Sequence, residues 1–138
     1  MAPAMTGNGA RPRVILVEDD RETRELLARL LRNDGFEVME AANGLKLISM
    51  LHADHPEVII LDVNLSWIDG FELCRAVKRN EEFREIPVVF LTGRSTEDDA
   101  RRGRDAGAEA YFRKPVDFAQ FATELREIIA RHAAEREG

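Results

Sequence analysis

Acidic, hydroxyl and ammonium side chains follow directly on short apolar runs of this chain. Glu18, Asp19 and Asp20 come after the run 14–17, Asp62 after 58–61, Thr92 after 88–91, and Lys114 with Pro115 after 110–113. If these runs are strands of one parallel sheet, the residues meet outside its carboxyl edge, where open α/β sheets bind ligands. An acid just after a strand is ordinarily the N-cap of the next helix, and Asp20 reads as such a cap. Glu18, Asp19 and Asp62 would instead stand side by side, and like charges about 4 Å apart repel by roughly 1–4 kcal/mol at surface-like dielectrics. A hard divalent cation would offset this, and Mg²⁺ suits one or two carboxylates with waters and a phosphate oxygen. Lys114 and Thr92 add a positive charge and a hydroxyl donor facing the same point. Together they describe a pocket for a phosphoryl group, whose charge sits on three equatorial oxygens. The chain has no GxxxxGK[ST] loop, so the expected phosphate bearer is a modified side chain rather than a nucleotide.

The elements that must position these residues follow from the apolar pattern. Strands are predicted at 13–17, 36–40, 58–61, 87–91 and 110–113. The first, third and fourth are rich in Val, Ile and Leu without polar alternation, as strands buried on both faces should be. Between them lie helical periodicities. Leu26, Leu27, Leu30 and Leu31 form the stripe of the first helix, which ends at Asp34 and Gly35. Leu45, Ile48, Met50 and Leu51 mark the second; Phe71, Leu73, Cys74 and Val77 the third; Phe118, Phe121, Leu125, Ile128 and Ile129 the fifth. The fourth, 96–106, carries Ala100, Gly103 and Ala106 but no large apolar residue, so its anchoring should be weak. Strands alternating with helices specify an α/β domain with a parallel sheet covered on both faces.

Composition narrows the classes. The chain has 138 residues, 44% of them hydrophobic, with 20 Lys+Arg against 26 Asp+Glu for a formal charge of −6. That is one domain's worth of chain with enough apolar residues for a core. An acidic balance argues against holding nucleic acid by phosphate neutralisation. The lone Cys74 offers neither an internal disulfide nor a metal framework. No apolar run approaches a membrane span, and residues 1–12 lack the pattern of a signal peptide, so a cytoplasmic location is expected. Residues 1–12 read as a disordered N-terminal segment, 13–131 as the domain, and 132–138 as the frayed end of the last helix.

Four stretches carry a family resemblance: VEDD at 17–20, PEVIILDVNLSWIDG at 56–70, PVVFLTG at 87–93 and GAEAYFRKP at 107–115. In order and at these intervals they resemble the receiver domain of bacterial two-component response regulators, the CheY-like superfamily. The resemblance implies a doubly wound, flavodoxin-like fold of five parallel strands in the order 2-1-3-4-5 with five helices. It implies that Asp62 accepts a phosphoryl group from a phosphohistidine on a sensor histidine kinase or a histidine phosphotransfer protein. Asp19, Asp62 and the backbone carbonyl of Asn64 would hold Mg²⁺, with Glu18 acting through water. Lys114 would pair with the phosphoryl oxygens, and Pro115 would follow a cis peptide. Thr92 and Tyr111 match the switch pair, which would alter the surface of the fourth helix, fifth strand and fifth helix. Asn64 and Arg94 occupy positions that tune phosphoryl lifetime. The protein would be a signalling switch with self-catalysed phosphotransfer and autodephosphorylation.

Departures are Ser66, Trp67 and Ile68, where the family often has Pro-Gly-Met, and Glu18, where many members have Asp. Trp67 is expected to fold onto its own surface, the alternative being contact with the kinase partner. His52, His55 and His132 are read as surface residues, away from any strand end. No output domain follows Gly138, so action on an unidentified downstream protein by contact is expected, without direct DNA or membrane binding, as a monomer or weak dimer. Two alternatives remain: a receiver fragment of a larger hybrid kinase or regulator, and a Mg²⁺-dependent phosphohydrolase of the haloacid dehalogenase type. The latter also forms an aspartyl phosphate but wants an Asp where this chain has Asn64, and its metal carboxylates come late in the chain. A degenerate receiver that binds without phosphorylation is disfavoured because every chemical position is filled.

Overall fold

A computed structural model describes residues 11–137; most of the segment read as an N-terminal arm lies outside them. Five strands, β1 (Arg13–Val17), β2 (Glu37–Ala41), β3 (Val58–Leu61), β4 (Val88–Thr92) and β5 (Ala110–Arg113), form one sheet in the order β2-β1-β3-β4-β5. All neighbouring pairs are parallel. Five helices alternate with them: α1 (Arg21–Asn33), α2 (Gly44–Ala53), α3 (Gly70–Arg79), α4 (Glu97–Asp105) and α5 (Phe118–Glu137).

Successive side chains of a strand point to opposite faces, and the central strands use both. Ile15, Val17, Ile59, Leu61, Val88 and Phe90 face one way and pack with Leu47, Leu51, Phe71, Cys74 and Val77 of α2 and α3. Val14, Leu16, Val58, Ile60, Val89 and Leu91 face the other way and pack with Ala28 and Leu31 of α1 and with Phe121, Leu125, Ile128 and Ile129 of α5. The chain winds outward from β1 to β2, then returns to β3 on the other side. The carboxyl ends of β1 and β3 therefore flank the point where winding reverses, and Val17 stands opposite Leu61 there.

The structure adjusts several expectations. Leu26 is 53% exposed and Leu45 is 76% exposed. The four-leucine stripe of α1 is wider than its contact with the sheet, which Ala28 and Leu31 make. On α2 the buried line is Gly44, Leu47 and Leu51, one helical turn apart, and Leu45 is turned away from it. Strand β2 begins one residue late because Phe36 closes the helix end, its N–H donating to the Leu31 carbonyl at 3.1 Å after Gly35 at φ 97°. Strand β4 begins at Val88 and runs on to Thr92; Pro87, without an N–H, contributes only its carbonyl, to Ile59 at 3.0 Å. Helix α4 packs through small residues, with Ala100, Gly103 and Ala106 buried.

Candidate functional site

Level ends of β1 and β3 send Glu18 and Asp62 out of the sheet beside each other. Asp62 N–H donates to the Val17 carbonyl at 3.3 Å and Glu18 N–H to the Ala41 carbonyl at 3.1 Å, so both backbones are held in line. Their side chains sit deep, Glu18 3% and Asp62 9% exposed. The end of β5 delivers the cation that compensates them. Lys114 N–H is bonded to the Thr92 carbonyl at 2.9 Å, and the Lys114–Pro115 peptide is cis. Lys114 Nζ stands 2.9 Å from Glu18 Oε1 and 3.9 Å from Asp62 Oδ2. Burial pushes the Glu18 carboxyl above the usual range, opposed by hydrogen bonds from Lys114 and the Asp20 N–H; the charge of Asp62 adds to the rise.

Asp19 is exposed, and its Oδ2 accepts from Ser66 Oγ at 3.0 Å. Asp20 is turned away as the N-cap of α1, accepting from Thr23 N–H at 2.9 Å and Thr23 Oγ1 at 2.6 Å; those bonds lower its pKa. The acids thus divide their work, and among the described residues no three His, Cys, Asp or Glu side chains form a ready-made metal cage. The donors left for a hard cation are the carboxylates of Asp19 and Asp62 and the carbonyl of Asn64, a set that fits Mg²⁺, which keeps several waters. Asn64 N–H turns back toward Asp62 Oδ1 at 3.3 Å. Helix α3 starts directly beneath this loop, and a Cβ on Gly70 would run into the Asp62 carbonyl. Glycine is what permits that approach.

The opposite rim is built by the loop after β4. Thr92 is fully buried, and its Oγ1 accepts from Arg94 N–H at 3.2 Å. Tyr111, half-buried on β5, donates its hydroxyl to the Arg94 carbonyl at 2.8 Å. Its ring lies under α4, where a Cβ at Gly103 would come within 2.8 Å of Tyr111 Cδ1. The Arg94 guanidinium grips Asp99 of α4, with Nη2 to Oδ1 at 2.8 Å and Nε to Oδ2 at 3.4 Å, and reaches Asn64 Oδ1 with Nη1 at 3.4 Å. Lys114 therefore joins Glu18 and Asp62 directly, Thr92 meets Lys114 through its backbone carbonyl, and Asn64, Arg94 and Tyr111 are tied to these residues by the contacts above. Ser66 and Asp99 were not singled out as site residues from sequence. The signal for Asp99 was the acidic first turn of α4, Glu97, Asp98 and Asp99, which reads equally well as helix-dipole compensation.

Trp67 does not fold back on the surface. It is 96% exposed at φ 80°, because the loop reverses on itself through Leu65 and Gly70 N–H groups that both donate to the Val63 carbonyl, at 3.0 and 2.8 Å. It flanks a groove of about 390 Å³ lined by Leu45, Ile48, Ile68 and Leu73. His52 and His55 are exposed as expected. The His132 side chain is only 14% exposed and is bonded to Glu109 at 2.8 Å, a tie that the pattern of α5 did not reveal.

A doubly wound sheet with two buried carboxylates and a lysine at the carboxyl edge of its strands defines a class of α/β domains. The chain belongs to the response regulator receiver domain family of two-component signalling, whose family model matches residues 14–126. It is 33% identical over 119 residues to the response regulator MprA of Mycobacterium avium, covering 86% of this chain and 51% of that protein. The same figures describe MprA of Mycobacterium tuberculosis. The chain spans about half the length of these curated relatives. Among solved structures it is similar to the receiver domain of a signal transduction histidine kinase from Syntrophus aciditrophicus (29% identity, TM-score 0.79, covering 86% of this chain and 90% of that one). It is also similar to the chemotaxis protein CheY4 of Vibrio cholerae (27% identity, TM-score 0.80, covering 86% and 99%). The family match decides against the haloacid dehalogenase-type alternative. Among the described residues, no helix is long and apolar enough to cross a membrane.

Proposed function

We propose that Asp62 is the phosphoacceptor of a two-component phosphorelay. In this reading an Asp62 carboxylate oxygen attacks the phosphorus of a phosphohistidine on a sensor histidine kinase or phosphotransfer protein. A P–O bond forms as the P–N bond breaks, and the imidazole leaves with the electron pair. The observation that carries it is the seating of Lys114 Nζ between Glu18 and Asp62, at 2.9 and 3.9 Å, at the carboxyl edge of the sheet. A cation already placed there can transfer its hydrogen bonds to incoming phosphoryl oxygens without reorganising the fold.

Asp19, Asp62 and the Asn64 carbonyl would hold Mg²⁺, which when bound neutralises charge on the transferring group; Glu18, committed to Lys114, would act on the cation through water. Thr92 would donate its hydroxyl to a phosphoryl oxygen, and Tyr111 would follow it, changing the surface of α4, β5 and α5 that a downstream protein reads. Loss of the phosphoryl group to water would reset the switch. The reading places this exchange in the cytoplasm, where the free Cys74 would stay reduced.

The test is mass spectrometry after incubation with acetyl phosphate and Mg²⁺. Wild type should gain one hydroxylamine-labile phosphoryl group that Asp62→Ala does not. A modification that persists without Asp62 would sink the reading.

A further inference from the structure

Arg94 is held by every polar group it has. Its N–H donates to Thr92 Oγ1, its carbonyl accepts from Tyr111, and its guanidinium makes a two-point contact with Asp99. The Asp99 carboxylate is anchored in turn: only 6% of the residue is exposed, and its N–H is bonded to Thr96 Oγ1 at 3.0 Å. A planar guanidinium gripped by a carboxylate in this fork geometry has one orientation rather than many. That orientation carries Nη1 to 3.4 Å from the Asn64 side chain, whose backbone N–H faces Asp62 Oδ1 at 3.3 Å. A continuous line of polar contacts thus runs from Asp99 of α4 through Arg94 and Asn64 to the Asp62 carboxylate.

We propose that Asp99 is a positioning residue that pins the Arg94 guanidinium over Asn64 as a cover on the Asp62 pocket, and so sets how long a phosphoryl group survives there. The inference rests on Asp62 being the phosphoacceptor. Hydrolysis of an aspartyl phosphate requires water to approach phosphorus opposite the Asp62 oxygen. A P–O bond to water forms, the P–O bond to Asp62 breaks, one water proton is released, and inorganic phosphate and the free carboxylate result. In this proposal Arg94 and Asn64, whose side chains meet at 3.4 Å and whose line of contacts ends at Asp62 Oδ1, stand in the way of that approach. A pinned guanidinium excludes water there; a freed one, on a flexible stem, does not. The Asp99 carboxylate also balances the arginine charge, leaving it on α4 instead of on the phosphoryl oxygens. The residue controlling the reset of the switch is therefore attached to the same helix whose face the switch displays.

The experiment measures the half-life of the phosphoryl group on the intact protein after acetyl phosphate and Mg²⁺ are removed. Asp99→Asn keeps the shape but loses the charge, and should shorten the half-life about tenfold, about 1.4 kcal/mol of barrier. Arg94→Ala should shorten it similarly, and the double variant no further, since both remove one device. Glu97→Gln neutralises another acid of the same first turn, whose side chain is 84% exposed and pairs with Arg113 at 3.2 Å instead of with Arg94; it should leave the half-life unchanged. If Asp99→Asn decays at the wild-type rate, or if its effect adds to that of Arg94→Ala, the inference is overturned while Asp62 keeps its role. If wild type takes up no phosphoryl group at all, the reading of Asp62 fails and takes this inference with it.

Discussion

The Tyr111 hydroxyl donates to the backbone carbonyl of Arg94 at 2.8 Å, while the Arg94 N–H donates to Thr92 Oγ1 at 3.2 Å. The two residues matched to a switch pair are therefore joined through one intervening residue rather than through each other. Removing the tyrosine hydroxyl in Tyr111→Phe should cost about 0.5–1.5 kcal/mol, the range for one hydrogen bond, read as a shift in urea midpoint at constant slope. No loss would mean that the ring, which phenylalanine keeps, and not the hydroxyl, is what ties β5 to the β4 loop.

Gly103 controls the same ring from above. Because its Cβ would lie 2.8 Å from Tyr111 Cδ1 and 3.2 Å from Phe90 Cδ2, Gly103→Ala must displace α4 or turn the tyrosine. Overpacking of this kind costs about 1–3 kcal/mol, against the ~1 kcal/mol by which alanine normally favours a helix over glycine. Tyr111 is the chain's only tyrosine, so its near-ultraviolet circular dichroism band should change in this variant. An unaltered band with unchanged stability would show that α4 has room to spare.

Divalent metal should stabilise the fold. Ligands that bind only the native state add RT ln(1 + [L]/Kd), about 1.4 kcal/mol at ten times Kd. For a domain of this size that is a rise of roughly 3–5 °C in melting temperature. Asp19→Asn should abolish the rise, because Asp19 is an exposed carboxylate whose partner among the described residues is the Ser66 hydroxyl at 3.0 Å. A thermal scan that is flat to millimolar Mg²⁺ would remove Asp19 and Asp62 as joint ligands.

Trp67 should behave as a side chain in water. It is 96% exposed at φ 80°, so its fluorescence should be red-shifted and fully quenched by acrylamide. Non-glycine residues in the left-handed region carry a penalty of about 1 kcal/mol, and Trp67→Gly should accordingly raise stability by up to that amount. A loss of stability would mean that the indole packs against a surface instead of standing in water.

Cys74 is buried, donates to the Ala106 carbonyl at 3.4 Å, and has its thiol pushed up to about 11 by burial. Alkylation of the native protein at pH 8 should be slow and should become fast in denaturant. A folded pKa above the unfolded one gives stability that is whole below the unfolded value. That stability is lost as pH rises toward about 11. Cys74→Ala should therefore lack the part of the alkaline destabilisation that falls between the two values.

Much of this molecule was legible in one dimension. Strands rich in Val and Ile, with acids, threonine and lysine just after them, have few ways to pack; parallel register then forces Glu18 beside Asp62, because Val17 and Leu61 are partners. Periodicity also located α3, whose Phe71, Leu73, Cys74 and Val77 are all buried. It overcounted on α1 and α2, because a leucine adds to an apolar stripe whether or not a neighbour covers it, and burial of Leu26 or Leu45 depends on helix rotation against the sheet. Trp67 was misplaced because exposure in a loop depends on a backbone reversal set by hydrogen bonds to Val63. How the charges are shared was decided only in three dimensions. Lys114 lies 96 residues from Glu18, Ser66 lies 47 from Asp19, and Arg94 takes Asp99 across the mouth of a helix. Sequence supplies the kinds of groups at the edge of the sheet, since each strand end names its own residue. Which carboxylate meets which cation depends on distances between chain segments that no local pattern encodes.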